Sequence, residues 1–532
     1  MHKRIVFLYC AMVTLAMTLI LRVWQLSFSE DLTQAATSQS SYSVEICRTR
    51  GAIYDCNGQR MTEIQSHVAA AISPSAEAMQ TVAANLKGSQ RSAVLQLLRE
   101  GKPFLCNLGR QRLYGEGIRC FDVYERYASE PLAPHLIGYL DGSGIGVSGL
   151  EQAFEQELRA AGEQVVLRYG VDIQQKPLES VTAEQRGSAE PPKAGLVLTL
   201  DKDIQQLCQV IGRQMLDQGA IVVMDVDSGQ LKAVVSLPTF DPNDLTAALN
   251  DEEKPFFNRA FAAYNVGSSF KLAVAAAALE QGISPDFSVN CVGGVEIAGR
   301  MIYCHHRAGH GETDMERALE QSCNPYFIAL GREIGDESIL TMAEHMGFGR
   351  GSDFAEGLVA SAGNLPKAAA SPLELANLSF GQGELLATPL QIAAMVSSIA
   401  NGGYQVEAQL LLGWTEDGSV PQAAEQAKER ILSERTAKRL QHDMIQVVEE
   451  GSGANAKPSV GGAGGKTASA QTGRYTEEEE IVHAWFAGFY PADEPRYSIV
   501  VLAEGMESGG TYAAPVFRRI CEQIKVLEQE RQ

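Results

Sequence analysis

A serine followed three residues later by a lysine is the first chemistry this chain offers: Ser268 and Lys271 in "YNVGSSFKLAVAAAALEQG", residues 264–282. Gly267 and the helix formers after Ser269 predict that Ser268 lies in the first turn of a helix that stops at Gly282. The two side chains then share a face. A serine hydroxyl is a poor nucleophile at neutral pH and needs a base within hydrogen-bond reach. A lysine one turn along supplies that base once burial and the positive end of the helix make its ammonium easier to deprotonate. Backbone N–H groups of the same turn can face a developing oxyanion.

Two more pairs follow in order. "LEQSCNPYF" places Ser322 two residues before Asn324, and "GGKTASAQTG" places Lys466 beside Thr467. A second Ser-x-Asn occurs at Ser288 and Asn290. Ser322 is preferred because it ends one helical stretch, "DMERALEQSCN", and leads into another, "PYFIALGREIG". The glycines before Lys466 predict a close approach of backbone to ligand. Ser-x-x-Lys, Ser-x-Asn and Lys-Thr in this order form the set used by penicillin-binding proteins and serine β-lactamases.

Groups so far apart in sequence need a fold that gathers them. "GAIVVMDVDSGQLKAVVSLPTFDPN" has the signature of a hairpin turning at Asp227-Ser228-Gly229. "HAWFAGFYP" and "RYSIVVLAEG" predict a strand pair, and "APVFRRICEQIKVLEQE" a closing helix. Strands at both ends with alanine-rich helices between predict an α+β fold, one mixed antiparallel sheet covered by helices. Residues 27–195, with helical spacing in "SAVLQLLREG" and "GLEQAFEQELRAAG", are expected to form a pedestal, and 196–532 the catalytic domain. The polar "TAEQRGSAEPPKAG" (182–195) serves as the connection. "TEEEE" at 476–480 is expected to be a solvated hairpin tip.

The chain resembles a class B penicillin-binding protein, a membrane-anchored peptidoglycan D,D-transpeptidase. The resemblance runs through "RTRGAIYDCNGQRM" and "HLIGYLDGSGIGVSGLEQ" in the pedestal. In the catalytic portion it runs through "SLPTFDPN", "NRAFAAYNVGSSFK", "FGQGELLATPLQIAAMVSSIANGG" and "HAWFAGFYP". It implies an elongated pedestal and a transpeptidase domain similar to serine β-lactamases. It further implies that Ser268 attacks the penultimate D-alanine carbonyl of a stem peptide ending in D-Ala-D-Ala, and that Lys271 takes the serine proton. Ser322 would relay a proton to the leaving amine, Asn324 would hold the substrate amide and steady Lys271, and Lys466 with Thr467 would meet the terminal carboxylate. Ser268 and Ser469 N–H groups would form the oxyanion hole. Gly381, Gln382 and Gly383 in "FGQGE" are read equally well as shaping a turn or as meeting the substrate. The resemblance requires no cofactor and no metal, and implies acylation by β-lactams. It names a polytopic membrane glycosyltransferase as partner, because no glycan-polymerising module is legible. Val266 and Ala468 depart from the family's usual proline and glycine. A β-lactam sensor or a catalytically weak wall scaffold are the competing readings.

With 65 acidic against 44 basic residues the net charge is −21, which would repel a phosphate backbone and argues against nucleic acid as the partner. The first residues hold an uncharged stretch from Ile5 to Leu21 behind Lys3 and Arg4. That pattern predicts an uncleaved single-pass anchor, N-terminus cytoplasmic, with the catalytic domain outside a bacterial cell membrane. Outside the membrane the surroundings permit disulfides. Cys47 with Cys56, Cys106 with Cys120, and Cys291 with Cys304 are the close neighbours in sequence, free buried thiols being the alternative for each. Zinc is disfavoured by the spacings, "CHHRAGH" (304–310) being its only local candidate.

Overall fold

The structure, a computed structural model, describes residues 2–27, 40–178, 182–423, 428–476 and 479–531. Its first helix, α1 (His2–Ser27), has 26 residues and is exposed along its whole length. At 1.5 Å per residue it measures roughly 39 Å, enough for a hydrocarbon core of about 30 Å. Among the described residues it is the one helix long and apolar enough to cross a membrane. Thr14 and Thr18 donate to the carbonyls of Cys10 and Thr14, so their hydroxyls are satisfied within the helix.

The chain falls into two compact units interleaved in sequence: residues 1–51, 63–126 and 159–192, and residues 52–62, 127–158 and 193–532. The first carries two three-stranded sheets. Its strands are β1 (Ser41–Arg48), β2 (Gln65–Ile72), β3 (Phe104–Asn107), β4 (Ile118–Glu125), β5 (Gln164–Gly170) and β6 (Glu184–Arg186), ordered β1–β5–β6 and β3–β2–β4. The segment expected to be a plain connection thus contributes a short strand. Helices α2 (Ala76–Asn85) and α3 (Gly88–Arg99) bury Val82, Val94 and Leu98 against Val68, Ala70 and Ile72 of β2. Cys106 and Cys120 both pair with Ala70, one from each side of β2. They are therefore two strand spacings apart, roughly 9.5 Å. A disulfide cannot span that gap, so this candidate bridge is excluded; both thiols are free.

The second unit is built on an antiparallel five-stranded sheet. Its elements are α4 (Lys202–Met215), β7 (Gly219–Asp225), β8 (Leu231–Leu237), α5 (Lys271–Glu280), α6 (Asn324–His345), α7 (Pro389–Ala400), α8 (Glu434–Glu449), β9 (Gly464–Thr476), β10 (Glu479–Tyr490), β11 (Tyr497–Ala503) and α9 (Ala514–Glu530). The strand order is β8–β7–β11–β10–β9. The hairpin of β7 and β8, the β10–β11 pair and the closing helix α9 all form where the sequence pattern put them. Residues 477 and 478 of the expected hairpin tip lie outside the described residues.

Strand β11 is buried at every position because it is central and covered on both faces. Its side chains alternate: Val500 and Leu502 join the core of α5 and α7, whereas Ile499, Val501 and Ala503 join that of α4 and α9. On the second face Phe517 of α9 meets Phe486 of β10 with ring centroids 4.5 Å apart. Burial of one such ring contributes about 1.5–3 kcal/mol. Helix α5 is apolar all round, with every residue from Lys271 to Leu279 buried, and so it is a core helix. Its first residue is the exception in chemistry.

Candidate active site

The turn that presents Ser268 is held by two glycines. Gly267 has φ +61° and donates its N–H to the Gly381 carbonyl at 2.9 Å. A Cβ on Gly267 would lie 3.1 Å from Ala470, and one on Gly381 (φ +79°) would lie 1.9 Å from the Gly267 carbonyl oxygen. Gly381 therefore shapes the turn beneath the nucleophile, while its neighbour Gln382 lines the cleft. Ala468 packs on the same turn, its Cβ 3.4 Å from where a Gly267 Cβ would stand. Residues Gly267–Phe270 form a 3₁₀ turn and α5 starts at Lys271, so Ser268 occupies the first turn as expected. Its N–H has no acceptor among the described residues, as the first turn of a helix leaves it.

Lys271 is fully buried. Its Nζ lies 2.7 Å from Asn324 Oδ1, 2.9 Å from the Ser322 carbonyl oxygen and 3.2 Å from Ser322 Oγ. Burial lowers its pKa to about 7. A neutral amine has two protons and one lone pair, which matches two pure acceptors and one hydroxyl able to donate. Ser322 stands between the helix Met315–Glu320 and α6, with φ +50°. A left-handed backbone costs a non-glycine residue about 1–2 kcal/mol. Here it turns the chain so that Ser322 and Asn324, on one strained corner, both reach Lys271. Asn324 also donates to the Tyr303 carbonyl at 3.3 Å. Ser268 Oγ makes no hydrogen bond to Lys271 among the described residues; the lysine is engaged by Ser322 and Asn324 instead.

On the opposite wall, edge strand β9 carries Lys466, Thr467 and Ser469. Thr467 and Ser469 line the cleft with Ser268, Ser322 and Asn324. Lys466 does not: it is fully buried and its Nζ donates to the Thr467 carbonyl at 3.0 Å. Burial, and then the charge of Lys271, hold its pKa well below the ordinary lysine value. The glycines ahead of it answer to packing. A Cβ on Gly464 would lie 2.3 Å from the Phe489 ring and one on Gly465 2.4 Å from Phe486.

The whole arrangement lies within one family signature: the penicillin-binding protein transpeptidase domain matches residues 219–522. The chain belongs to that family. Among relatives of this penicillin-binding protein family, the chain is 27% identical to stage V sporulation protein D of Bacillus subtilis, over 98% of this chain and 85% of that one. It is 28% identical to the peptidoglycan D,D-transpeptidase MrdA of Acinetobacter baumannii, over 70% of this chain and 60% of MrdA. A transpeptidase-domain structure from Eggerthella lenta superposes with TM-score 0.64 at 23% identity, covering 91% of this chain and 99% of that one. Penicillin-binding protein PBP2 of Helicobacter pylori, solved with MreC, superposes with TM-score 0.63 at 20% identity, covering 92% and 100%. These structures establish the penicillin-binding protein fold.

Two features of this family member go beyond the sequence reading. Ser452 lines the cleft with its Oγ 2.9 Å from Thr467 Oγ1. It sits in a "GSG" turn whose only sequence signal is glycine. The second is a cluster of Cys291, Cys304, His310 and Cys323, whose ligand atoms all lie within 4.8 Å of one another. No disulfide joins them. Cys304 Sγ is 3.5 Å from His310 Nδ1. A hydrogen bond from Cys323 pushes the Cys304 thiol down despite its burial, and the same bond pushes Cys323 up. Three thiols and an imidazole so gathered are the donor types that hold a structural zinc. Cys304 and His310 belong to the CHHRAGH candidate, but the spacing hid their joining with Cys291 and Cys323, since the ligands come from a strand, a loop and the corner between Ser322 and Asn324.

Proposed function

We infer that this chain is a peptidoglycan D,D-transpeptidase that works through a serine acyl-enzyme. The observation that carries the reading is a fully buried lysine of pKa about 7, bonded to Ser322 and Asn324 behind the cleft that exposes Ser268. Ser268 Oγ attacks the penultimate D-alanine carbonyl, and its proton passes to neutral Lys271. The orphaned Ser268 N–H, with that of Ser469, receives the oxyanion; such donors contribute a few kcal/mol to acyl-transfer barriers. Collapse of the tetrahedral adduct breaks the peptide bond, and the terminal D-alanine leaves as an amine protonated through Ser322. An amine of a second stem peptide then attacks the ester and releases Ser268.

Asn324 Nδ2 offers a donor to the substrate amide while Oδ1 holds Lys271. Thr467 and Ser452 supply hydroxyls for the terminal carboxylate, and Lys466 braces the Thr467 carbonyl from behind the strand. Cys291, Cys304, His310 and Cys323 would hold a structural zinc, which supplies a rigid cross-link where the chain otherwise has none. What the cysteines themselves do is fix the 304–310 loop and the Ser322–Asn324 corner to one point. Lys3 and Arg4 in the first turn of α1 orient the N-terminus to the cytoplasm. Glycan polymerisation then falls to a separate membrane glycosyltransferase, met through α1 and the first unit.

Labelling with a fluorescent penicillin tests this. A covalent adduct that mass spectrometry places on Ser268, and that Ser268→Ala abolishes, is expected. An intact, folded chain that never acylates would overturn the reading.

A further inference from the structure

The corner that bears Ser322 follows a helix of only six residues, Met315–Glu320. So short a helix has little stability of its own, and its place is set by what holds it. The corner moves with it. The Ser322 N–H donates to the Leu319 carbonyl at 3.3 Å, and the Cys323 N–H to that of Ala318 at 2.9 Å. Asn324 is held from elsewhere, since it opens the 22-residue α6 and donates to the Tyr303 carbonyl.

Helix α8 grips the short helix at both ends. At the far end the Glu320 carbonyl accepts the Ser452 N–H at 2.9 Å, from the turn that follows α8. At the near end Arg439 of α8 reaches Glu316, its Nη2 3.2 Å from Oε2. Arg439 is itself fixed by Asp443 one turn along, whose side chain is fully buried and whose two oxygens lie 2.9 and 3.1 Å from Arg439 Nε. A guanidinium offers Nε to one partner and Nη2 to another in one rigid plane, which a lysine cannot do. His442 Nε2 lies 3.3 Å from the same Glu316 oxygen, but more than half of its side chain is exposed and water weakens that contact. Helix α8 is placed in turn by α5: Glu280 at the end of α5 accepts from the Ser433 N–H at 2.9 Å and from its hydroxyl at 2.8 Å. Lys271 opens α5. A chain of contacts thus runs from the helix of Lys271, through α8, to the helix of Ser322, and it bypasses Asn324.

We propose that Arg439 and Glu316 are positioning residues that hold Ser322 Oγ at hydrogen-bond distance from Lys271 Nζ for proton transfer. The inference rests on the transpeptidase reading and deepens it. Without the ion pair α8 holds the short helix at its Ser452 end alone, so Ser322 shifts while Asn324 stays on α6. A misplacement of about 1 Å costs up to about a hundredfold in rate.

The test measures the second-order rate at which penicillin acylates Ser268 in the full chain in detergent, as a double-mutant cycle. Glu316→Ala cuts the link and leaves the buried Arg439–Asp443 pair whole. It should slow acylation about tenfold in the wild-type background, less than about twofold once Ser322→Ala has removed the hydroxyl, and about tenfold again beside Asn324→Ala. Glu316→Gln, which keeps an acceptor for Arg439, should recover most of the rate, whereas Arg439→Lys should lose it with Glu316 intact. His442→Gln should stay within about twofold. A tenfold loss that persists in the Ser322→Ala background would reduce the pair to a contact of the fold and overturn the proposal, as would no loss in the wild-type background. Labelling of wild-type Ser268 reports separately on the transpeptidase reading, which fails only if that labelling fails.

Discussion

Asn324 Oδ1 lies 2.7 Å from Lys271 Nζ inside the protein, and it is neutral. That neutrality decides the chemistry. A carboxylate at this place would hold the lysine as a cation, whereas an amide oxygen takes one hydrogen bond and leaves the burial cost in force. Lys271 therefore titrates at about 7 rather than 10.5.

The acylation rate should follow the neutral fraction of Lys271. The second-order rate of penicillin acylation should rise between about pH 6 and 8 with an apparent pKa near 7 and then level off. Stability has the matching sign. The unfolded lysine binds a proton that the folded one has lost between pH 7 and 10.5, so this group's contribution to stability rises with pH through that window. A rate that stays flat from pH 5.5 to 8.5 would remove Lys271 as the base.

Asn324→Asp should move the rising limb alkaline by at least about one pH unit, because an anion at hydrogen-bond distance favours the ammonium. At pH 7 acylation should fall about tenfold or more, with partial recovery at pH 9. Asn324→Ala keeps no such charge and should slow acylation without the alkaline displacement. Stopped-flow labelling across pH distinguishes the two.

Much of this site was legible in the sequence, for physical reasons that differ residue by residue. Ser268 and Lys271 announce themselves because both lie on one helical turn, where three-residue spacing fixes proximity. The β7–β8 hairpin and β11 are legible because buried strands write unbroken apolar runs. Ser452 was not, since its approach to Thr467 is set by how a turn packs on Glu320, whose carbonyl accepts the Ser452 N–H at 2.9 Å. The packing role of Gly464 and Gly465 was not legible, because the rings that exclude a side chain there belong to β10, some twenty residues on. Of the cysteine cluster only Cys304 and His310 stood together in the CHHRAGH candidate, because Cys291 and Cys323 join them only after α6 and the 289–313 loops have folded.

Glycine substitutions beneath the nucleophile separate architecture from substrate contact. Gly381→Ala sets a methyl against the Gly267 carbonyl and forces φ +79° on alanine, so it should cost more than about 2 kcal/mol and lower Tm by several degrees. Acylation should fall with it. Gln382→Ala, one residue along but facing the cleft, should leave Tm within about one degree. Differential scanning fluorimetry of both variants checks the contrast.

The purified chain should carry about one zinc, measured by mass spectrometry of metals, and Cys323→Ser or Cys291→Ser should remove most of it. Chelation should lower Tm and make the Ser322–Asn324 corner exchange amide hydrogens faster, because that corner loses its anchor. Full metal-free protein with unchanged Tm and exchange would assign the four residues to packing alone.

Ser452 gives the sharpest division between binding and chemistry. Its Oγ is 2.9 Å from Thr467 Oγ1 and reaches the cleft, yet it touches neither lysine among the described residues. If the pair of hydroxyls receives the terminal carboxylate, Ser452→Ala removes one neutral hydrogen bond, about 0.5–1.5 kcal/mol, from both ground and transition states. The expected result is a KM for D-Ala-D-Ala peptides raised about three- to tenfold with kcat within twofold. Carboxylate-esterified penicillins should be indifferent to the change, because the group that Ser452 serves has been masked. A fall in kcat at unchanged KM would instead place Ser452 on the path of the proton, in the position argued above for Ser322.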